Sequence, residues 1–288
     1  MNIKIIVCYH KSSSIISNDV FLPIQVGRAL NGNQLPIQGD DEGDNISNLN
    51  GIFCELTGLY WAWKNFDADY IGLCHYRRFF SFTSLGIRLK DLKNRMSYYC
   101  LKVAYLLTRA CGNFIYYRFT DNVDSEEELK KNADKFAIEL KDYIASHQNK
   151  KLFALHPVSM GNLTNYFSFA IAGGRIHMPI LDEIVSQNYP EIYPYFRKTL
   201  NSNKIYYANM TIMKKDVFDT YCSFLFDVLN KHLKRCLDEK ICLSTDEKSI
   251  SRLSGYFGEL LTSTFVLYYS QKNNGAFKKL SMIKYEGA

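Results

Sequence analysis

The sequence has no C-x-x-C pair, no long uninterrupted apolar run and only six prolines in 288 residues. Eight cysteines (Cys8, Cys54, Cys74, Cys100, Cys111, Cys222, Cys236 and Cys242) fall singly, most of them inside apolar runs. Reduced core cysteines are placed this way, which argues against a structural zinc and against a disulfide scaffold. The longest apolar stretch, residues 98–117, is interrupted by Lys102, Arg109 and Asn113. It falls short of the roughly 20 apolar residues that cross a bilayer, although it can lie on a surface. The run at residues 3–8 is too short for the hydrophobic region of a signal peptide, so a cytoplasmic protein is expected. Walker, Gly-x-Gly-x-x-Gly, Gly-x-Ser-x-Gly and His-Glu-x-x-His patterns are all missing. P-loop kinases, Rossmann dehydrogenases, common serine hydrolases and zincins are thereby set aside.

What is present is a globular composition: 47% hydrophobic residues, and 35 Lys+Arg against 29 Asp+Glu. The length allows two small domains, but α/β chains of this size are often one unit, and we expect a single domain. The cations are unevenly spread. Arg88, Lys90, Lys93, Arg95, Lys102, Arg109 and Arg118 face only Asp91 between residues 88 and 118, a local excess matching the whole net charge of +6. This stretch differs in charge from both flanks and breaks the alternation of elements, so residues 83–124 are expected to form a basic helical insertion.

The rest reads as strands alternating with helices. Residues 3–8, 70–74 and 152–155 are compact buried strands, each followed by polar residues. Helices are expected over residues 20–30, 52–64 and 176–187. Another should run from the Ser125-x-x-Glu128 capping box to Ser146, and two should close the chain at 216–236 and 255–270. Residues 166–172 and 206–213 read as strands. The pattern argues for an α/β sheet, in which ligands bind beyond the carboxyl ends of strands. That rule singles out Tyr9, His10 and Lys11, then His75 to Arg78, then His156, and also Asn209.

His75-Tyr76-Arg77-Arg78 is the sharpest local signal, since two adjacent guanidiniums repel each other and can grip phosphate oxygens. The plainer alternative is a solvated strand end. Asp67-Ala68-Asp69 has the form of a metal-binding Asp-x-Asp, but it precedes its strand and so belongs to the opposite edge of the sheet, where it reads as a helix-to-strand turn. Asp40, Asp41, Glu42 and Asp44, interspersed with Gly39 and Gly43, suit a metal or a ribose better, or else form a solvated loop. Tyr60, Trp61, Trp63 and Phe66 crowd one helix, as core or as a stacking face. His156 and Glu259 are separate candidates for acid–base work.

Three groups of motifs occur together: Gly43-Asp44-Asn45-Ile46-Ser47; ELTGLYWAWKN at residues 55–65 and YIGLCHYRRFF at 70–80; and Asn209-Met210 with Arg252, Gly255, Tyr256 and Glu259. Together they resemble a bacterial family long carried as a domain of unknown function and encoded in capsular polysaccharide and O-antigen clusters. That family is regarded as glycosyltransferases, including β-1,3-galactofuranosyltransferases that use UDP-galactofuranose. The resemblance spans most of the chain outside residues 83–124, with Ser254 and Gly258 smaller than the pattern leads one to expect. It implies a GT-A-like nucleotide-sugar fold.

The function expected from this resemblance is transfer of a galactosyl or galactofuranosyl unit from a UDP donor to a lipid-linked glycan, with inversion of configuration. Donor contacts are expected from Tyr9, His10, Asp41, Asp44, Asn45, Trp61, Lys64, His75, Arg77 and Arg78, and acceptor contacts from Asn209, Met210, Arg252 and Tyr256. The catalytic base is open between Glu259, Glu55 and His156. No cofactor is certain; if Mn²⁺ or Mg²⁺ is used, Asp41 and Asp44 are the expected ligands. The basic stretch would meet the anionic inner face of the plasma membrane, which would make the protein peripheral there; nucleic acid is not an expected partner. The competing class is a non-catalytic module that binds glycans or nucleic acid through the same basic and aromatic residues.

Overall fold

The computed structural model describes residues 1–108, 116–241 and 252–287. Arg109, Cys111, Asn113 and Cys242 lie outside these, as does the side chain of Tyr105. β1 (Ile3–Tyr9) is a β-branched run covered on both faces, with Ile5, Ile6 and Val7 fully enclosed. Parallel to it lies β2 (Phe21–Gln25), Ile5 opposite Phe21. The helix expected over residues 20–30 is therefore a strand. Burial on both faces removes the two-residue alternation, and Pro23 would break a helix in any case. Val20 and Val26 bond to β1, so alternation turns the Pro23 nitrogen to the outer edge, where β3 (Gln38–Gly39) pairs only Ile24 and Gln25.

The helix expected over residues 52–64 is broken in two. α1 (Asn50–Phe53) and α2 (Leu56–Asn65) are separated at Cys54, whose φ of 51° and ψ of −131° are not helical. β4 (Tyr70–His75) pairs with β1 in parallel, and β5 (Arg78–Ser81) returns from it through a tight turn in which His75 faces Arg78. The basic stretch forms α3 (Leu85–Thr108), and the chain then rejoins the sheet as β6 (Thr120–Val123). α4 (Glu126–Ser146) starts at the expected cap, the Ser125 hydroxyl accepting from the Glu128 N–H at 3.1 Å.

β7 (Leu152–Leu155) is followed by a short ribbon of β8 (Val158–Ser159) with a later segment. Residues 166–172, expected as a strand, belong to α5 (Asn165–Phe169) and a π-type turn running to Gly174. Thr164 caps this helix by accepting from the Phe167 N–H, a signal that the aromatic content of the run obscures. α6 (His177–Asn188) and α7 (Tyr193–Asn201) come next, then β9 (Lys204–Ile205), which pairs with β8. The strand expected over 206–213 shrinks to β10 (Thr211–Lys214), because Ala208 and Asn209 both adopt positive φ, 62° and 55°. α8 (Lys215–Asp238) and α9 (Leu253–Lys272) are the two expected late helices.

The expected helical C-terminus is corrected by β11 (Phe277–Tyr285), a nine-residue strand. It pairs with β7 along its first half and with β5 and β6 along its second. Its opening Lys278-Lys279 hides a run, residues 280–283, that is buried throughout. Among the described residues nine strands form one mixed sheet. β1 and β4 are parallel, so Tyr9 and His75 end at one edge; β10 runs antiparallel to β4 and brings residues 208–210 to that same edge. No described helix is long and apolar enough to cross a membrane.

Candidate active site

A cavity of about 600 Å³ opens at this edge, bounded by the β4–β5 turn, the α1–α2 break, the residues before β10 and the start of α9. Its chemistry comes from two carboxylates and a group of cations. Glu55 stands at the α1–α2 break, directly after the non-helical Cys54, and lines the cavity. The amide of the fully buried Asn209 donates to Glu55 Oε1 at 2.8 Å, and its carbonyl accepts from Thr262 Oγ1 at 3.0 Å. His75 Nε2 lies 4.0 Å from the same Glu55 oxygen and donates to the Ala208 carbonyl at 2.9 Å.

Glu259 reaches the same cavity from α9. Its Oε1 accepts from the Ala208 N–H at 2.8 Å, so Ala208 ties the end of β4 to α9. Two successive non-glycine residues at positive φ are costly, on the order of 1–3 kcal/mol each, and this pair of bonds together with those of Asn209 hold them there. Burial, reinforced by the Glu55 charge, pushes the Glu259 carboxyl up to about 8, against the opposing pull of the Ala208 N–H and Arg78. What exposure Glu259 keeps is to the cavity itself, so a bound ligand would dry it further.

Arg77 and Arg78 line the cavity from the turn, and Arg252 and Tyr256 from α9. Arg78 stacks 5.1 Å from the centre of the Tyr207 ring, a contact that fixes its planar head. His10 also faces the cavity, and its pKa is lowered by burial and then by Lys11, Arg252 and His75. α9 sits close against the α1–α2 break: a Cβ on Gly255 would come within 3.1 Å of Cys54 Sγ, and one on Gly258 within 2.7 Å of Leu56 Cδ1. The small residue at position 258, where the family resemblance implied a bulkier one, lets α9 pack against Leu56 and Asn209 beside Glu55.

Of the residues singled out from the sequence, Glu55, Glu259, His10, His75, Arg77, Arg78, Arg252 and Tyr256 are thus brought together. Others are not. Tyr9 is buried and its hydroxyl joins Ile16 N–H to the Ser14 carbonyl; Met210 is buried behind the wall, and Asn209 touches Glu55 instead of the cavity. Asp41, Asp44, Asn45, Trp61 and Lys64 make a separate knot outside the cavity lining. There Trp61 Nε1 donates to the Glu42 carbonyl, Asn65 Oδ1 accepts from the Asp44 N–H, and Lys64 lies 3.7 Å over the Trp63 ring. Asp40, fully buried, accepts from Gly27 N, Arg28 N, Ser47 Oγ and Thr57 Oγ1, which explains Thr57 in the ELT motif.

Asp41 pairs with Arg28 at 3.8 Å while Asp44 accepts from the Tyr60 hydroxyl at 3.2 Å, so the two expected metal ligands are engaged with different partners. Asp69 binds the Asn2 N–H at the opposite edge of the sheet. His156 lies in a different groove against Phe119, its pKa pulled down to about 4 by burial and by Lys279 and Arg118. Tyr207 and the Ala208 backbone were missing from the sequence reading; the aromatic pair before Asn209 is the one signal that could have suggested them.

A family model described as a domain of unknown function, DUF4422, matches residues 4–273. This chain belongs to the DUF4422 family. The solved apo structure of WbbM, a bifunctional glycosyltransferase, is similar to this DUF4422 chain with a TM-score of 0.74 and 24% identity. The match covers 99% of this chain and 46% of WbbM, so this chain spans less than half of that protein's length. At this identity the likeness establishes a shared fold. No curated protein sequence matches the chain.

Proposed function

We propose that this DUF4422 protein is a glycosyltransferase that moves a galactosyl unit, in pyranose or furanose form, from a UDP-sugar to a hydroxyl of a lipid-linked glycan. The observation that carries this reading is the cavity, in which two carboxylates and three arginines converge beyond the carboxyl ends of β1 and β4. A GT-A-like enzyme has to stabilise the departing diphosphate and deprotonate the incoming hydroxyl. Arg77, Arg78 and Arg252 are suited to the first task. At 4 Å and an effective dielectric of 20, one pair of unit charges attracts by about 4 kcal/mol, which lessens the need for Mn²⁺ or Mg²⁺.

Glu259 is suited to the second task. With a pKa near 8 it is poised to hold and release a proton close to neutral pH, and the Ala208 N–H fixes its orientation. Glu55, held by Asn209, keeps that pKa high and lies where it can bind sugar hydroxyls. The test is thermal stability against a panel of nucleotides and nucleotide sugars, each with Mn²⁺ and with EDTA. A ligand at 100 times its dissociation constant adds about 2.7 kcal/mol to the folded state. A shift confined to uridine diphosphate compounds and surviving EDTA is the expected result. Polyanion binding with no response to any nucleotide would favour the non-catalytic binding module.

A further inference from the structure

Away from this cavity, three buried side chains from two helices converge on one point. His177 opens α6, while His232 and Cys236 lie one turn apart on α8. His177 Nδ1 and His232 Nε2 are 3.1 Å apart, and Cys236 Sγ is 3.6 Å from each. Their relative exposures are 3%, 0% and 0%. Among the described residues this is the one group of three or more histidine, cysteine or carboxylate side chains close enough to share a metal ion.

We propose that His177, His232 and Cys236 bind a zinc ion. Zinc bonds of about 2.0 Å to nitrogen and 2.3 Å to sulfur, at a tetrahedral angle, set the ligand atoms about 3.3 Å apart for two nitrogens and about 3.6 Å for nitrogen and sulfur. The observed triangle has those edges. Hydrogen bonding alone fills it poorly, because a thiol is a weak donor and a neutral imidazole carries a single N–H, so protons can occupy at most two of the three edges. The i,i+4 spacing places both α8 ligands on one face of the helix.

A missing C-x-x-C pair does not exclude ligands supplied from separate helices. Three protein ligands leave the fourth corner of the tetrahedron to water. His232 Nδ1 has no hydrogen-bond partner among the described residues. The site therefore lacks one outer contact of the kind that strengthens a metal-bound imidazole by roughly 10–100-fold, and a chelator should strip it readily. The ion would join α6 to α8. Both imidazoles also pack on Phe257 of α9, with ring centres 6.1 and 5.2 Å away, directly behind Tyr256 and Glu259 of the cavity.

The test uses untagged full-length protein grown with zinc and dialysed, its metal content read by elemental analysis. Cobalt substitution then supplies a thiolate-to-metal absorption band. The expected result is about one zinc per chain, a cobalt–thiolate band, and loss of both in Cys236→Ala and His232→Gln. A strong chelator should lower the melting temperature of the native protein and leave that of folded Cys236→Ala unchanged. Native protein that retains no zinc, or a cobalt–thiolate band that persists in Cys236→Ala, would overturn the assignment, and the first of these needs no variant to fold. None of these readouts depends on transferase activity.

Discussion

Helix α3 and the cavity wall use the same residue, arginine, under opposite conditions. On α3 the side chains of Leu89, Leu92, Met96, Tyr99 and Leu107 are exposed alongside the cations, and Asp91, buried as Ile87 one turn earlier is, turns inward to the Tyr116 hydroxyl and the Phe119 N–H. In the cavity Arg78 lies over the Tyr207 ring, and His75, Ala208 and Asn209, which meet the two carboxylates, are each held by hydrogen bonds. A cation that keeps its freedom attracts any anionic surface, whereas one already held in place can select a shape. The first arrangement suits a membrane face rich in anionic lipid, and the second suits one diphosphate.

Glu259 is where the largest effect is expected. Replacement by Gln keeps the bond from Ala208 N–H and should lower kcat by roughly 10²–10⁴-fold while sugar-nucleotide binding survives. Full turnover would remove Glu259 as the base. The sign of the linked stability change is fixed as well. The unfolded carboxyl releases its proton near 4.5 and the folded one near 8, so folding loses stability as pH rises between those values. Glu259→Gln should therefore melt at a higher temperature than the native protein above pH 8, and kcat/KM of the native enzyme should rise with pH up to about 8.

A smaller effect, on folding alone, is expected at Asp40. Asp40→Ala leaves four donors without their acceptor and should cost about 3 kcal/mol in a denaturant titration, although residue 40 contributes nothing to the cavity lining. Arg78→Lys loses the planar stack on Tyr207 and the paired donors, and should weaken nucleotide binding roughly tenfold in calorimetry. On α3, Arg88→Gln, Lys93→Gln and Arg95→Gln together should each remove about 1 kcal/mol of binding to phosphatidylglycerol vesicles. Turnover on a soluble acceptor should stay the same, and an equal loss there would erase the distinction between the two regions.

Much of the site was legible because the strands that build it announce themselves. β1, β4 and β7 are short apolar runs each followed by polar residues, and His75 to Arg78 needed only the rule that ligands gather at strand ends. What hid was of two kinds. β2 and β11 are covered on both faces, so neither shows alternation, and β11 also has two lysines directly after its first residue. The acidic turn and the Trp-x-Trp-Lys-Asn segment looked like a binding element because they carry charge and aromatic rings. Their bonds to one another, Asn65 to Asp44 and Trp61 to Glu42, fasten a loop outside the cavity lining. No local pattern announces that the helix breaks at Cys54, just before Glu55, which shares the cavity with Glu259.

The late position of β11 bears on how the chain is made. Its partners β5 and β7 are synthesised some two hundred and more than one hundred residues earlier, and both keep an open edge until residues 277–285 leave the ribosome. Long-range pairings of this kind close slowly, and exposed edges invite pairing with other nascent chains. During translation the half of the sheet built on β1, β2 and β4 can settle first, while the half that carries the β4–β5 turn waits. A chain released before residue 277 would present unfilled strand edges to chaperones and proteases, so quality control of this protein turns on β11.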